Sequence, residues 1–139
     1  MNFNWKDNLV LIAEDDPINF RYLELLLSKR TGIQILWAKD GREAYEKAIN
    51  HSGIDIFLLD LQLPELNGID VLKLVKKANP HLPIIMQTAN SWNDEEKACY
   101  DAGCDGFFPK PLDINLLLQF IDDLLKVQAN NKTVKQTVV

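Results

Sequence analysis

Ile54-Asp55-Ile56-Phe57-Leu58-Leu59-Asp60-Leu61-Gln62-Leu63-Pro64-Glu65-Leu66-Asn67-Gly68 decides how this chain folds. Its short, nearly unbroken apolar run is the pattern of a strand covered on both faces of a parallel sheet. The run stops at a carboxylate, Asp60. Pro64 and Asn67-Gly68 then break the strand and turn the chain into a helix. Asp60 is therefore expected at the carboxyl end of a central strand, where open α/β sheets form their ligand crevice. An acid there is costly unless something pairs with it.

The run Leu9-Val10-Leu11-Ile12-Ala13 repeats the device and ends in Glu14-Asp15-Asp16. Pro17 opens a helix to about residue 30, with Asp15 or Asp16 as its cap and Thr31-Gly32 as its stop. Its core stripe is drawn through Asn19, Tyr22, Leu23, Leu26 and Leu27, leaving Ile18, Phe20 and Leu25 on other faces. Residues 33–38 alternate partly and read as an outer strand, followed by a helix through Ala44, Tyr45, Ala48 and Ile49. Beyond the central strand the pattern gives a helix over 68–79, a strand over 82–88 and a helix over 90–102. A short strand over 105–111 and a final helix over 112–127 complete it. Residues 1–7 read as an N-terminal extension, 8–127 as the domain, and 128–139 as a loose polar tail or the start of a linker.

Strand–helix alternation with short connections implies an α/β fold: a doubly wound, flavodoxin-like (βα)5 unit with right-handed crossovers. The two most apolar strands, first and third, belong innermost, and the fifth, which carries Pro109, belongs at an edge. The order 2-1-3-4-5 satisfies both demands and puts the switch point between strands one and three. Glu14, Asp15 and Asp60 then share one crevice.

At 139 residues the chain is expected to form one domain with a single substantial core. A formal net charge of −5 disfavours direct contact with nucleic acid or an anionic membrane surface. No apolar run approaches the roughly 20 residues of a membrane span, and residues 1–7 lack the apolar core of a signal peptide. Cys99 and Cys104 have no further ligands at metal-site spacing and read as packed thiols, which fits a reducing cytoplasm.

Three carboxylates within about 5 Å repel one another by roughly 3 kcal/mol per pair at an effective dielectric near 20. Hard oxygen ligands of this kind favour Mg2+, with Mn2+ as the alternate ion, and the backbone carbonyl of Gln62 is placed to complete the set. A metal among acids recruits phosphate, and a carboxylate such as Asp60 can attack phosphorus to form an aspartyl phosphate. Thr88 and Lys110, at the ends of neighbouring strands, supply a hydroxyl and a positive charge for the transferred group's oxygens.

Glu14-Asp15, Asp60 with Leu63-Pro64, Asn67-Gly68, Thr88-Ala89 and Phe107-Phe108-Pro109-Lys110-Pro111, in this order, resemble the receiver domain of two-component response regulators. The resemblance covers about residues 9–127. It implies that Asp60 accepts a phosphoryl group from the phosphohistidine of a sensor kinase or phosphotransfer protein. It further implies that Asp15 binds Mg2+ directly, Glu14 through water and Gln62 through its main-chain carbonyl, with Thr88 and Lys110 on the phosphoryl group. A cis peptide between Lys110 and Pro111 follows from the same likeness. So does a switch in which Thr88 moves inward and Phe107 follows it, reshaping the face of the fourth helix, fifth strand and fifth helix for a downstream protein or for homodimerisation. Gln62 and Asn90 occupy positions that border the path of the hydrolytic water. Such a domain catalyses only its own phosphorylation and dephosphorylation. Ile18 and Phe20, left over beside the acidic turn, are expected to help dock the phosphodonor. The competing reading is an Asp-nucleophile phosphatase on a similar sheet, but the second acid it needs two residues after the nucleophile is Gln62 here. A flavin mononucleotide module is disfavoured because three acids would repel the phosphate.

Overall fold

The computed structural model of the chain describes residues 3–89 and 93–137, the side chains of 93 and 131–137 excepted. The chain runs β1 (Leu9–Ala13), α1 (Pro17–Thr31), β2 (Gln34–Ala38), α2 (Gly41–Asn50), β3 (Ile56–Asp60), α3 (Gly68–Ala78), β4 (Ile84–Thr88), α4 (Asn93–Asp101), β5 (Gly106–Pro109) and α5 (Ile114–Thr137). All five strands are parallel, in the order β2-β1-β3-β4-β5. Every residue of β3 and β4 is buried, as a run without polar alternation requires when helices cover both faces.

The two faces carry separate cores. Leu11, Phe57, Leu59, Ile84 and Met86 pack under α2, α3 and α4. Val10, Ile12, Ile56, Leu58 and Ile85 pack under α1 and α5. Alternate residues of one strand thus serve opposite layers. Among the described residues no helix is long and apolar enough to cross a membrane.

Local chemistry sets the helix boundaries. Asp16 is the N-cap of α1, its Oδ1 accepting from the Ile18 N–H at 2.9 Å. Gly32 closes the helix with φ of 71°, a left-handed conformation suited to glycine, and bonds back to the Ser28 carbonyl. Asp40 and Asn67 cap α2 and α3 in the same manner.

Two expectations are corrected. Phe20 is only 6 % exposed and stacks on Trp37 with ring centroids 4.2 Å apart and planes within 4°. It is a core residue and cannot present a docking face. The buried stripe of α1 is Phe20, Leu23, Leu27 and Thr31, while Tyr22 and Asn19 face outward. The second correction concerns the tail, since α5 continues past Val127 to Thr137. Nothing between them is Gly or Pro, and Gln128, Ala129 and Lys132 are good helix formers, so the helix has no reason to stop.

The N-terminal stretch is fastened to the domain. Phe3 and Trp5 donate their backbone N–H groups to Arg30 and Thr31, and the Trp5 indole donates to Asp122 Oδ1 at 3.0 Å. Cys99 and Cys104 are buried free thiols. Burial, reinforced by Glu95, pushes the Cys99 thiol up to about 11. Burial, reinforced by Cys99, pushes Cys104 up to about 12. Roughly one thiol in a thousand, or fewer, is thiolate at pH 8. The folded protein should therefore leave Ellman's reagent unreacted over minutes and release both thiols only in denaturant. Fast reaction of the native protein would contradict this packing.

Candidate phosphoacceptor site

The crevice lies where β1 and β3 end side by side. Because Asp16 is engaged in capping α1, Glu14 and Asp15 are the acids left to face Asp60. One carboxylate oxygen from each of Glu14, Asp15 and Asp60 lies within 4.8 Å of the others. Glu14 and Asp60 are buried, whereas Asp15 is exposed.

Lys110, just past β5, reaches across the sheet end to both buried acids. Its Nζ donates to Asp60 Oδ2 at 2.9 Å and to Glu14 Oε2 at 3.1 Å. Burial works against the charge on Lys110, but the hydrogen bond and charge of Asp60, then those of Glu14, outweigh it and leave its pKa raised. Glu14 is pushed above the usual carboxylate range, first by burial and then by the Asp60 charge, with Lys110 pulling the other way. One ammonium thus serves two buried acids beside a third. Hard oxygen donors with an excess of negative charge fit a divalent cation of the Mg2+ type.

The remaining residues fall in place through the sheet. Asp60 is the register partner of Gln87, which sets Thr88 one step further along the neighbouring strand. Lys110 donates its backbone N–H to the Thr88 carbonyl at 2.7 Å, and the Lys110–Pro111 peptide is cis. Gln62 has an exposed side chain and donates its backbone N–H to Asp60 Oδ1 at 3.0 Å. Phe107 is half-buried against the core beneath α2, α3 and α4. Ile18 is 79 % exposed at the start of α1, close in sequence to the acids. Asn90 lies outside the described residues.

Two residues near the crevice were not singled out by sequence. The Trp37 indole donates to the Glu14 carbonyl at 2.8 Å, which ties the end of β1 to edge strand β2. Gln87 is fully buried, and neither side-chain polar atom has a hydrogen-bond partner among the described residues. Leaving such groups unsatisfied costs about 1–3 kcal/mol each. The sequence signal for Gln87 was an amide inside an otherwise apolar strand.

A doubly wound parallel sheet with a carboxylate cluster and a lysine at the switch point defines a class of phosphate- and metal-handling α/β domain. The family described as "Response regulator receiver domain" matches residues 10–122, and the chain belongs to that family, whose members act as phosphorylation switches. It is 33 % identical over 122 residues to hybrid signal transduction histidine kinase M of Dictyostelium discoideum, covering 84 % of this chain and 5 % of that one. Three curated relatives that it matches are much longer, and it spans 5 to 28 % of their length. Among solved structures it resembles the Ssk1 receiver domain of Saccharomyces cerevisiae co-crystallised with the histidine phosphotransfer protein Ypd1. There the TM-score is 0.80 at 27 % identity, covering 88 % of this chain and 92 % of that one. It also resembles the receiver domain of sensor histidine kinase PA1611 from Pseudomonas aeruginosa, with magnesium coordinated in its active-site cleft. That match has a TM-score of 0.78 at 26 % identity and covers 86 % of this chain and 98 % of that one. The phosphatase reading is not favoured, since these relatives are receivers and Gln62 stands where a second acid is required.

Proposed function

We propose that Asp60 is the phosphoacceptor of this receiver domain and that the carboxylates of Glu14, Asp15 and Asp60 hold Mg2+, with Mn2+ as a substitute. The observation that carries this reading is the Lys110 ammonium bridging Asp60 and Glu14 beside a third acid. Transfer of a phosphoryl group to Asp60 uses all of these groups. An Asp60 oxygen attacks phosphorus of a phosphohistidine, the P–N bond breaks, and the imidazole leaves with the bonding pair. Lys110 then exchanges part of its contact with Asp60 for a phosphoryl oxygen, and Thr88 donates its hydroxyl to another. The bound cation supplies charge neutralisation for the transferring oxygens.

The donor is a sensor histidine kinase or a phosphotransfer protein, by analogy with the hybrid kinases and the Ypd1-bound receiver to which the chain is similar. Of the two apolar residues expected to meet it, Ile18 alone remains. Ile18→Ala should slow phosphotransfer from a cognate donor severalfold and leave acetyl phosphate labelling unchanged; equal transfer rates would remove Ile18 from the interface. Output follows inward movement of Thr88 and Phe107 and a changed α4-β5-α5 face, read by a downstream protein or a second phosphorylated copy and not by direct contact with DNA. Gln62 and Asn90 tune loss of the phosphoryl group. The chain acts alone or as the receiver part of a larger regulator or hybrid kinase.

The direct test is incubation with acetyl phosphate and Mg2+, followed by intact mass and peptide mapping. One phosphoryl group per chain, confined to the peptide containing Asp60 and blocked by EDTA, is expected. Labelling independent of a divalent ion, or on another peptide, would overturn the reading.

A further inference from the structure

Glu14 is held at every polar atom it carries. Its N–H donates to the Ala38 carbonyl at 3.0 Å, its Oε1 accepts from the Asp16 N–H at 3.2 Å, and its Oε2 accepts from Lys110 Nζ at 3.1 Å. The remaining partner is a side chain from the edge strand: the Trp37 indole N–H donates to the Glu14 carbonyl at 2.8 Å. β2 ends at Ala38, opposite Ala13, so the paired strands stop one residue short of Glu14 and the indole extends the tie past them. That carbonyl belongs to the peptide joining Glu14 to Asp15. A peptide unit is planar, so fixing its oxygen also fixes its N–H edge and the direction in which Asp15 leaves the strand. The constraint matters most for Asp15, which is exposed, whereas burial already confines Glu14 and Asp60.

The geometry points to Trp37 as a positioning residue for the cation site: its indole sets the Glu14–Asp15 peptide so that both acids face Asp60 before any ion arrives. The inference rests on the reading of these three acids as the cation's ligands. Mg2+ demands near-ideal octahedral geometry, so acids that must first be turned into place bind it less tightly. Trp37 is itself well anchored for the task. Its ring stacks on Phe20 at 4.2 Å between centroids, and Lys39 Nζ lies 5.1 Å from the ring centroid. Its own carbonyl accepts from Lys47, which pairs in turn with Glu43 at 2.8 Å. The indole thus links α1, α2 and the edge strand to the one peptide that carries two of the acids.

Titration of ¹⁵N-labelled protein with Mg2+ tests this without any phosphoryl donor. The Gln62 N–H, which donates to Asp60 Oδ1, reports occupancy of the acids. The Trp37 indole signal should move with the same midpoint, while the Trp5 indole, bonded to Asp122, stays in place. Trp37→Phe keeps a ring against Phe20 and removes the N–H. Its Mg2+ midpoint should rise roughly tenfold, the low end for losing a partner that orients a metal ligand. Saturating Mg2+ should return its labelling by acetyl phosphate to the parent rate, since the loss lies in cation binding. Trp5→Phe is the matched control, because it removes an indole bond of 3.0 Å at the other end of β1. It should lower Tm comparably and leave the Mg2+ midpoint where the parent has it. An unchanged midpoint in Trp37→Phe, equal weakening by the two substitutions, or a Trp37 indole that ignores Mg2+ while Gln62 responds would overturn the role of Trp37 and leave the phosphoacceptor reading standing. A parent whose Gln62 N–H does not respond to Mg2+ would instead overturn the reading of the acids as a cation site, and this inference with it.

Discussion

Asp60→Asn protein will gain no phosphoryl mass from acetyl phosphate and Mg2+ under conditions that label the parent to completion. The substitution keeps the shape of the side chain and removes only its nucleophilic, anionic character. Glu14 and Asp15 remain beside it, with oxygens that now lie within 4.8 Å of Asp60, so any label they could accept would persist. Loss of labelling would not reflect loss of fold. Lys110 keeps its bond to Glu14, and removing the Asp60 charge relieves a repulsion that helps push the Glu14 pKa up. The single remaining oxygen cannot serve both the Gln62 N–H and Lys110 as two do now, at a cost of about 1 kcal/mol. The two changes oppose each other, so Tm should move by no more than roughly 5 °C. Intact mass and a thermal melt on the same preparation decide the matter. A phosphorylated Asp60→Asn chain would transfer the acceptor role to another acid.

The parts of this site that sequence made legible are those written into single strands. The ends of β1 and β3 announce Glu14, Asp15 and Asp60, because an apolar run that stops at an acid can be read locally. The pairing of Lys110 with Glu14, across 96 residues, is legible only through the rule that parallel strands deliver their ends to one side. What escaped reading lies in contacts between elements. In α1, residues 18, 20, 22, 23 and 25–27 are all apolar or aromatic, so several stripes fit the helical period about equally well. The choice of Phe20 over Tyr22 is made by Trp37 on β2, whose ring covers Phe20. No pattern within α1 records that partner. The end of α5 was missed for a different reason. Polarity after Val127 reads as a loose tail or the start of a linker, yet a polar helix without Gly or Pro continues when its beginning is anchored by packing, here through Leu117, Leu118, Ile121 and Leu125. Gln87 is the instructive case, since an amide in a buried strand breaks the rule that the rest of the core obeys, and such breaks collect at functional sites.

Gly68→Ala will be strongly destabilising, because the added methyl has no room beside the end of β3. Gly68 is the first residue of α3, and its N–H donates to the Leu61 carbonyl at 2.8 Å. A Cβ placed there would overlap the Asp60 carbonyl oxygen and lie 2.6 Å from the Leu61 Cα and 2.8 Å from the Leu61 oxygen. All three are backbone atoms at the end of β3, so no side chain can swing away. The helix must separate from the strand that carries Asp60. Alanine's better helix propensity returns at most about 1 kcal/mol, whereas overpacking against fixed backbone costs ~3 kcal/mol or more. Overlap wins, and Tm should fall by roughly 6–12 °C. Asp60 moves with its own backbone, so Mg2+-dependent labelling by acetyl phosphate should slow as well, at temperatures where the protein is still folded. Gly53→Ala is the control, since its added Cβ would meet only the His51 ring at 3.6 and 3.7 Å, an ordinary contact that should shift Tm by roughly 2 °C at most. Equal Tm values for the Gly68 and Gly53 variants would mean that the approach of α3 to the end of β3 is looser than the structure draws it.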